Sequence, residues 1–425
     1  MQVLKIYYLL PIFFVTGPFL PDLVITTSSL FFIIYFLKYE RQYLVNNFFY
    51  FFLVFYLFII FSSLNSNDFI FSLKSSLPYV RIIIFPLIIY YLLEKKILNL
   101  ITLSKILLFV IIFLSLDSIY QFIFGYNVIG FKSPLNYRVT SFFNDEAILG
   151  SYISKILPLL ISIYIYINHK SKGFSAIIYY VTFFLGIICI FLSGDRMPFG
   201  TILLYIILIN IFYFEKKQFI LLLSLIFAII VLISLNNSLK NRYINMTLLQ
   251  LFEGDIKIDK KFQIDEKNIE EKFNFELKNI LNNKILFFSR PHQEHLKTAY
   301  SIFKDNKIIG SGPNTFRLNC TPKFHEHQSR CSTHPHNIYI QLLSETGIIG
   351  FIFLISIFFY FVYKIFYSSL NKDRLQVFIF AHLFVSIFPI STYGNFFNNY
   401  NSIMLFFPVG FYLYMLKNNK NYKTK

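Results

Sequence analysis

From residue 48 to residue 61 the chain reads FFYFFLVFYLFIIF, with no charged side chain and no polar stripe. A surface helix of a water-soluble protein hides one apolar stripe and turns a polar face outward. A helix that is apolar all round has no face for water and must meet lipid or other helices. Stretches of this kind recur along the chain, and composition follows them. Of 425 residues 56% are hydrophobic, 20% aromatic and 14% charged, with mean hydropathy +0.58. The expected fold class is an all-α polytopic membrane protein. The N-terminus has a weak basic region and a long apolar stretch without a small-residue cleavage site, so the first helix is expected to stay.

Apolar runs of roughly 17 to 25 residues number about twelve. They fall at 6-20, 22-37, 48-64, 77-93, 101-124, 147-167, 174-193, 198-214, 219-235, 346-366, 375-392 and 401-416. Pro11, Gly17, Pro18 and Pro21 crowd the first two, which also read as one broken hairpin. The formal net charge of +17 does not indicate nucleic acid, because the lysines form short clusters between apolar runs and no continuous stripe. They read as topology signals. With twelve spans, Lys38 and Arg41, Lys95 and Lys96, Lys170 and Lys172, Lys216 and Lys217, Lys372 and Arg374, and the tail Lys417, Lys420, Lys423 and Lys425 share one side. That side, with both termini, is expected to be cytoplasmic. The loops 65-76, 125-146, 194-197, 236-345 and 393-400 then face outward. The chain divides into helices one to nine (1-235), a large outward loop before the tenth helix (236-345), and three further helices with a tail (346-425). Residues 253-284 are charged and read as an amphipathic interfacial helix or a loop. No internal repeat is evident.

The polar island from Ser289 to Gly350 holds six of the eight histidines, two of the three cysteines and a Gly310-Ser311-Gly312 turn. Within it, HQEHLKTAYSIFKDN reads as helix, and KIIGSGPNTF turns sharply at its glycines. His336 and Asn337 are followed by nine residues, Gly347, two residues and Gly350. This spacing sets a histidine at the start of an outward helical segment and two glycines where that segment approaches the membrane, allowing close backbone contact. A histidine near a helix start is commonly structural, yet it is also the side chain best suited to take a proton from a hydroxyl near neutral pH.

Several charges lie near the outer face. Arg196, in the short turn SGDRMPFG, holds its guanidinium near the membrane surface; a salt bridge to Asp195 or lipid anchoring is the bland reading. Arg138 precedes the sixth span. Arg81 lies about one turn inside the fourth and is either functional or snorkels to lipid phosphate. Asp145 and Glu146 read as an acidic helix start, and Asp117 and Lys155 as a structural pair.

The run His336-Asn337-x9-Gly347-x-x-Gly350, with IIGSGPNTF upstream, resembles the signature of the O-antigen ligase and polymerase superfamily of bacterial envelope enzymes. The resemblance covers most of the chain, with its motifs in residues 138-152, 193-200 and 289-350. It implies a glycosyltransferase of the bacterial inner membrane, active at the periplasmic face, that needs no metal and no cofactor. Its donor would be an undecaprenyl-pyrophosphate-linked glycan and its acceptor a lipid A-core or similar hydroxyl. In this reading His336 activates the acceptor hydroxyl. Arg196 and Arg290 hold the pyrophosphate, with Arg138 and Arg81 as further candidates. Asn337, Gly347, Gly350, Gly310 and Gly312 form the motif scaffold, and single displacement inverts the anomeric carbon. No nucleic-acid partner is implied. A polymerase, whose acceptor is a second lipid-linked glycan, is the nearest alternative. Transfer to a protein hydroxyl and a transporter of lipid-linked glycans are more distant ones; a transporter would need charges through both leaflets. In an oxidising periplasm Cys320 and Cys331 are expected to form a disulfide closing a short loop, while Cys189 is buried in the seventh span. His325, His327, Cys331 and His334 offer zinc-type ligands, but at a spacing that fits no standard zinc pattern.

Overall fold

The computed structural model describes residues 2–133, 138–168, 176–251, 290–320 and 332–423. The charged stretch 253-284, His325, His327 and Cys331 lie outside the described residues. Among the described residues the fold is all helical, with one isolated bridge between Tyr126 and Lys132.

A short 3-10 helix, Gln2–Leu9, leads into α1 (Leu10–Thr16). There follow α2 (Phe19–Lys38), α3 (Asn47–Leu64), α4 (Phe69–Ser76), α5 (Val80–Glu94) and α6 (Leu100–Phe124). Next come α7 (Leu149–Asn168), α8 (Ala176–Leu192), α9 (Arg196–Phe212), α10 (Lys216–Leu235), α11 (Asn237–Lys240) and α12 (Met246–Leu251). The second half holds α13 (Arg290–Asp305), α14 (Phe316–Asn319), α15 (Ile338–Leu370), α16 (Arg374–Ser386) and α17 (Asn399–Lys423). Sequence marks several boundaries. Asn46 and Asn99 cap α3 and α6 by accepting from the amides of Phe49 and Ile101, each at 2.8 Å, as short amide side chains do at helix starts. Gly125 ends α6 in the left-handed region at φ 80°, the usual glycine stop.

A helix occupies most of each of the twelve apolar runs. Among the described residues, seven helical stretches are long and apolar enough to cross a membrane: Phe19–Lys38, Asn47–Leu64, Phe69–Glu94, Leu100–Phe124, Leu149–Asn168, Gln218–Leu235 and Ile338–Leu370. Four further apolar helices, Leu4–Thr16, Ala176–Leu192, Arg196–Phe212 and Arg374–Ser386, are shorter.

At the centre is α7, which packs on α6, α8, α9, α16 and α17, while α5 packs on α2 and α17. Of the most apolar window in α7, 72% is buried, against 17% in α10. The first is therefore wrapped by protein, and the second presents side chains such as Phe227 and Leu235 outward. Helices in lipid gain little from apolar burial and associate by close packing, which favours small residues at crossings. Gly186 of α8 is such a crossing, where an added Cβ would come within 3.0 Å of Leu157 and 3.4 Å of Ile111.

Polar ties mark two ends of the bundle. At one, Lys95 pairs with Glu40 (2.6 Å), Lys417 with Glu94 (3.0 Å) and Arg374 with Glu215 (3.0 Å), joining chain segments of the lysine-rich side. At the other lie the glycine turn, His336 and the 387-398 segment. Two departures from the apolar pattern occur here. The run 375-392 is helical only to Ser386, because Pro389 disfavours helix in the residues before it, and the freed chain crosses over His336. In α15, Gly347 breaks the helix at φ 64°, ψ −164°, so that Ile338–Thr346 is a separate arm before the long apolar stretch.

Candidate active site

The arm of α15 is capped by Asn337, whose carbonyl oxygen accepts from the amides of Tyr339 (3.0 Å) and Ile340 (3.2 Å). Its amide donates to the Pro389 carbonyl at 2.6 Å, which clamps the returning 387-398 segment. Directly before the cap, His336 adopts φ 58°, uncommon for a side chain other than glycine. The amide of Tyr393 holds its carbonyl at 2.9 Å. One side chain thus caps the helix and ties down the strap beside the histidine.

The glycine turn sits against the break in α15. The amides of Ser311 and Gly312 donate to the carbonyls of Ser344 (3.0 Å) and Glu345 (2.8 Å), and the amide of Ile348 donates to Lys307 (2.9 Å). An added Cβ at Gly310 would overlap the Glu345–Thr346 backbone, and one at Gly347 would overlap Ile308. Gly312, at φ 107°, lies against Ser66 and Ser72, while Gly350 meets only the Thr346 side chain. The fully buried Glu345 carboxylate accepts from the amides of Asn314 (3.0 Å) and Phe316 (2.9 Å) and from Gln341 (3.0 Å). Gln341 also donates to Asn395 (2.7 Å) and accepts from the Phe396 amide (2.9 Å). This network went unread in the sequence, although an acidic residue inside QLLSETGIIG was a visible signal.

Helix α13 packs on α15 and brings His292 and His295 to His336, with ring centroids 5.3 and 5.6 Å apart; His334 is 4.2 Å away on the other side. Ser332 Oγ is 3.1 Å from His336 Nε2, and His334 Nε2 lies 3.2 Å from the Tyr393 carbonyl. Burial lowers the pKa of all three rings His292, His334 and His336, that of His334 to about 4. Partly desolvated imidazoles resist charging, so the group is neutral near pH 7. Among the described residues no set of three or more His, Cys, Asp or Glu is placed to hold a metal ion.

His292, His334 and His336 line a cavity of about 550 Å³ whose other walls come from α7, α9, α16, α17 and the 387-398 strap. Ser151, Ser154, Lys155, Thr201, Thr392 and Asn401 give it a polar lining, and Glu146 is also on its wall.

Arg138, Arg196 and Arg242 are not among the described lining residues of this cavity. Arg196 is the first residue of α9 and donates to Thr247 at 3.0 Å. The salt bridge to its neighbour Asp195 is replaced by another: Asp195 pairs with Arg138, because the loop before α7 folds back over the α8–α9 turn. Arg242, which the sequence reading passed over, donates to the Gly194 carbonyl at 2.8 Å. Arg242, Arg138 and Arg196 all lower the pKa of Tyr243, against a larger rise from burial, and Arg196 also bears on His292. The three guanidinium groups therefore form one basic cluster beside the histidines. Arg290 opens α13. Arg81 is held by Asp22 at 3.0 Å and by Thr26, away from the cavity lining.

Asp117 and Lys155 do not pair. Asp117 accepts from the Val128 amide at 3.0 Å and from Ser141, being drawn to the loop after α6, and Lys155 lines the cavity. Cys320 is disulfide-bonded and Cys189 is free and buried; Cys331, the expected partner of Cys320, lies outside the described residues.

These features define a multi-pass, all-helical membrane protein with a polar, histidine-walled cavity at one end of its bundle. Residues 181–355 match the family model described as O-antigen ligase. The matched stretch runs from α8 through Arg196 and Arg242, the glycine turn and the His336 arm. The family comprises ligase and polymerase enzymes that handle lipid-linked glycans. No curated protein matches the chain.

Proposed function

We propose that the protein is an O-antigen ligase-like glycosyltransferase that moves a glycan from undecaprenyl pyrophosphate to a lipid A-core or similar hydroxyl. Twelve helices cross the inner membrane with the lysine-rich loops in the cytoplasm, and the cavity opens to the periplasm. His336 accepts the proton of the incoming hydroxyl, whose oxygen attacks the anomeric carbon from the side opposite the pyrophosphate. Inversion follows from the single displacement. Arg196, at the N-terminus of α9, and Arg290, at that of α13, neutralise the pyrophosphate, where helix ends also favour anions. Such electrostatic support strengthens as water is excluded. No metal or nucleotide is needed, because the energy resides in the glycosyl-pyrophosphate bond.

The observation that carries this reading is His336 itself: a neutral imidazole fixed by its backbone on the wall of a polar cavity, next to a cluster of arginines. The test is transfer in a strain lacking its own O-antigen ligase but supplied with long lipid-linked glycan. A ladder on lipid A-core that vanishes with His336→Ala supports the reading. Conversion of single repeats to long chains in a polymerase-deficient strain would make the enzyme a polymerase instead. Full transfer by His336→Ala, present in the membrane at the wild-type level, would remove the proposed base.

A further inference from the structure

Lys155 is the charged residue that the proposed chemistry leaves without a task. It lies six residues beyond the start of α7, about 9 Å along the helix at 1.5 Å per residue. The residue is half-buried and lines the same cavity as His292, His334 and His336. Its expected counter-ion, Asp117, is engaged by Val128 and Ser141, and Lys155 makes no ion pair or hydrogen bond among the described residues. The acidic residue lining the cavity, Glu146, lies nine positions earlier, before α7 begins. Arg138 pairs with Asp195, Arg81 with Asp22, and Arg196 donates to Thr247, and none of these three is among the described lining residues of the cavity. Because the histidines are neutral near pH 7, Lys155 is the cation among the described lining residues.

An ammonium inside a membrane helix, here with no ion pair among the described residues, is costly and commonly marks a substrate path. A compact point charge on a flexible stem suits phosphate oxygens. We propose that Lys155 is the cationic contact inside the cavity for the diphosphate of the lipid-linked donor, an inference that rests on the function proposed above. In the transfer, the acceptor oxygen bonds to the anomeric carbon and its proton passes to His336. The bond from that carbon to the phosphate oxygen breaks, and the electron pair leaves with the diphosphate. The added negative charge develops on the group that Lys155 contacts, so the interaction tightens as the bond breaks.

The test uses the full-length protein in lipid nanodiscs, with geranylgeranyl diphosphate, geranylgeraniol and glucuronic acid as probes. Wild type and Lys155→Arg should bind the diphosphate similarly. Lys155→Met should bind it at least tenfold more weakly, with geranylgeraniol affinity equal in all three. Undiminished diphosphate binding by Lys155→Met overturns the proposal and leaves the function above standing. Loss of geranylgeraniol as well would mean a packing defect and would also overturn it. Weakened glucuronic acid binding with unchanged diphosphate binding would assign the lysine to a sugar carboxylate instead. If the wild type binds no diphosphate, the donor assignment falls together with this inference.

Discussion

At the scale of single residues, His336 and the glycines around it carry the sharpest expectations. Burial lowers the pKa of His336 from its ordinary 6.5, and a base must be unprotonated. The rate kcat/KM for transfer should therefore be flat near neutrality and fall only as pH drops below about 6.5, which a pH-rate profile in proteoliposomes would check. Stability follows the same sign. Below 6.5 the unfolded chain takes up protons that His292, His334 and His336 resist in the fold, so stability is lost as pH falls toward the value of about 4 held by His334. Melting at pH 7 and pH 5 should show this drop, and His334→Asn should reduce it. The glycines should separate in severity. Alanine at Gly347 incurs both the positive φ and a backbone overlap with Ile308, a loss of about 2 kcal/mol or more. Alanine at Gly350 carries no positive φ and meets the Thr346 side chain; Oγ1 can rotate away by giving up its 2.7 Å bond to Leu342, while Cβ at 2.7 Å must shift slightly, a loss of about 1 kcal/mol. Equal thermal shifts for the two in detergent would contradict this account.

At the scale of elements, the arm Ile338–Thr346 is a short helix made useful by what holds its ends. Asn337 caps it and grips the strap through Pro389; Glu345 and Gln341 bind it to the glycine turn and to the 395-396 turn. Asn337→Ala should cost about 1 kcal/mol through the cap alone, and should lower transfer further because the strap beside His336 is released. Asn337→Asp keeps the cap acceptor but loses the donor to Pro389. Melting should thus be nearer wild type for Asp than for Ala, while transfer suffers in both. If transfer by Asn337→Asp equals wild type, the clamp on the strap has no part in positioning His336.

At the scale of the whole molecule, the ion pairs at one end and the cavity at the other give the bundle a polarity along its axis. The lysine-rich end should lie in the cytoplasm. Asn67→Cys, exposed in the turn after α3, should react with a membrane-impermeant maleimide on intact cells; Asn371→Cys, after α15, should react only once the membrane is opened. The reverse pattern would invert the topology and place the cavity inside. The central position of α7 is also a property of this scale. Its sequence is less apolar than those of α6, α8 and α9, and only packing makes it the helix that α6, α8, α9, α16 and α17 share.

The sequence by itself determined the class of fold and the place of the motif. Helix-length apolar runs are local, and hydrocarbon requires that their backbone groups be satisfied within the segment. For the same reason the His336-Asn337 helix start and the special glycines could be read from neighbouring residues. Only the tertiary structure decided which charges meet. Arg138 chose Asp195, Asp117 turned to its own following loop, and Lys155 was left facing the cavity, because these outcomes depend on segments distant in sequence being brought within a few ångströms. Electrostatic pairing falls off with distance and burial, and neither quantity is written in the order of residues.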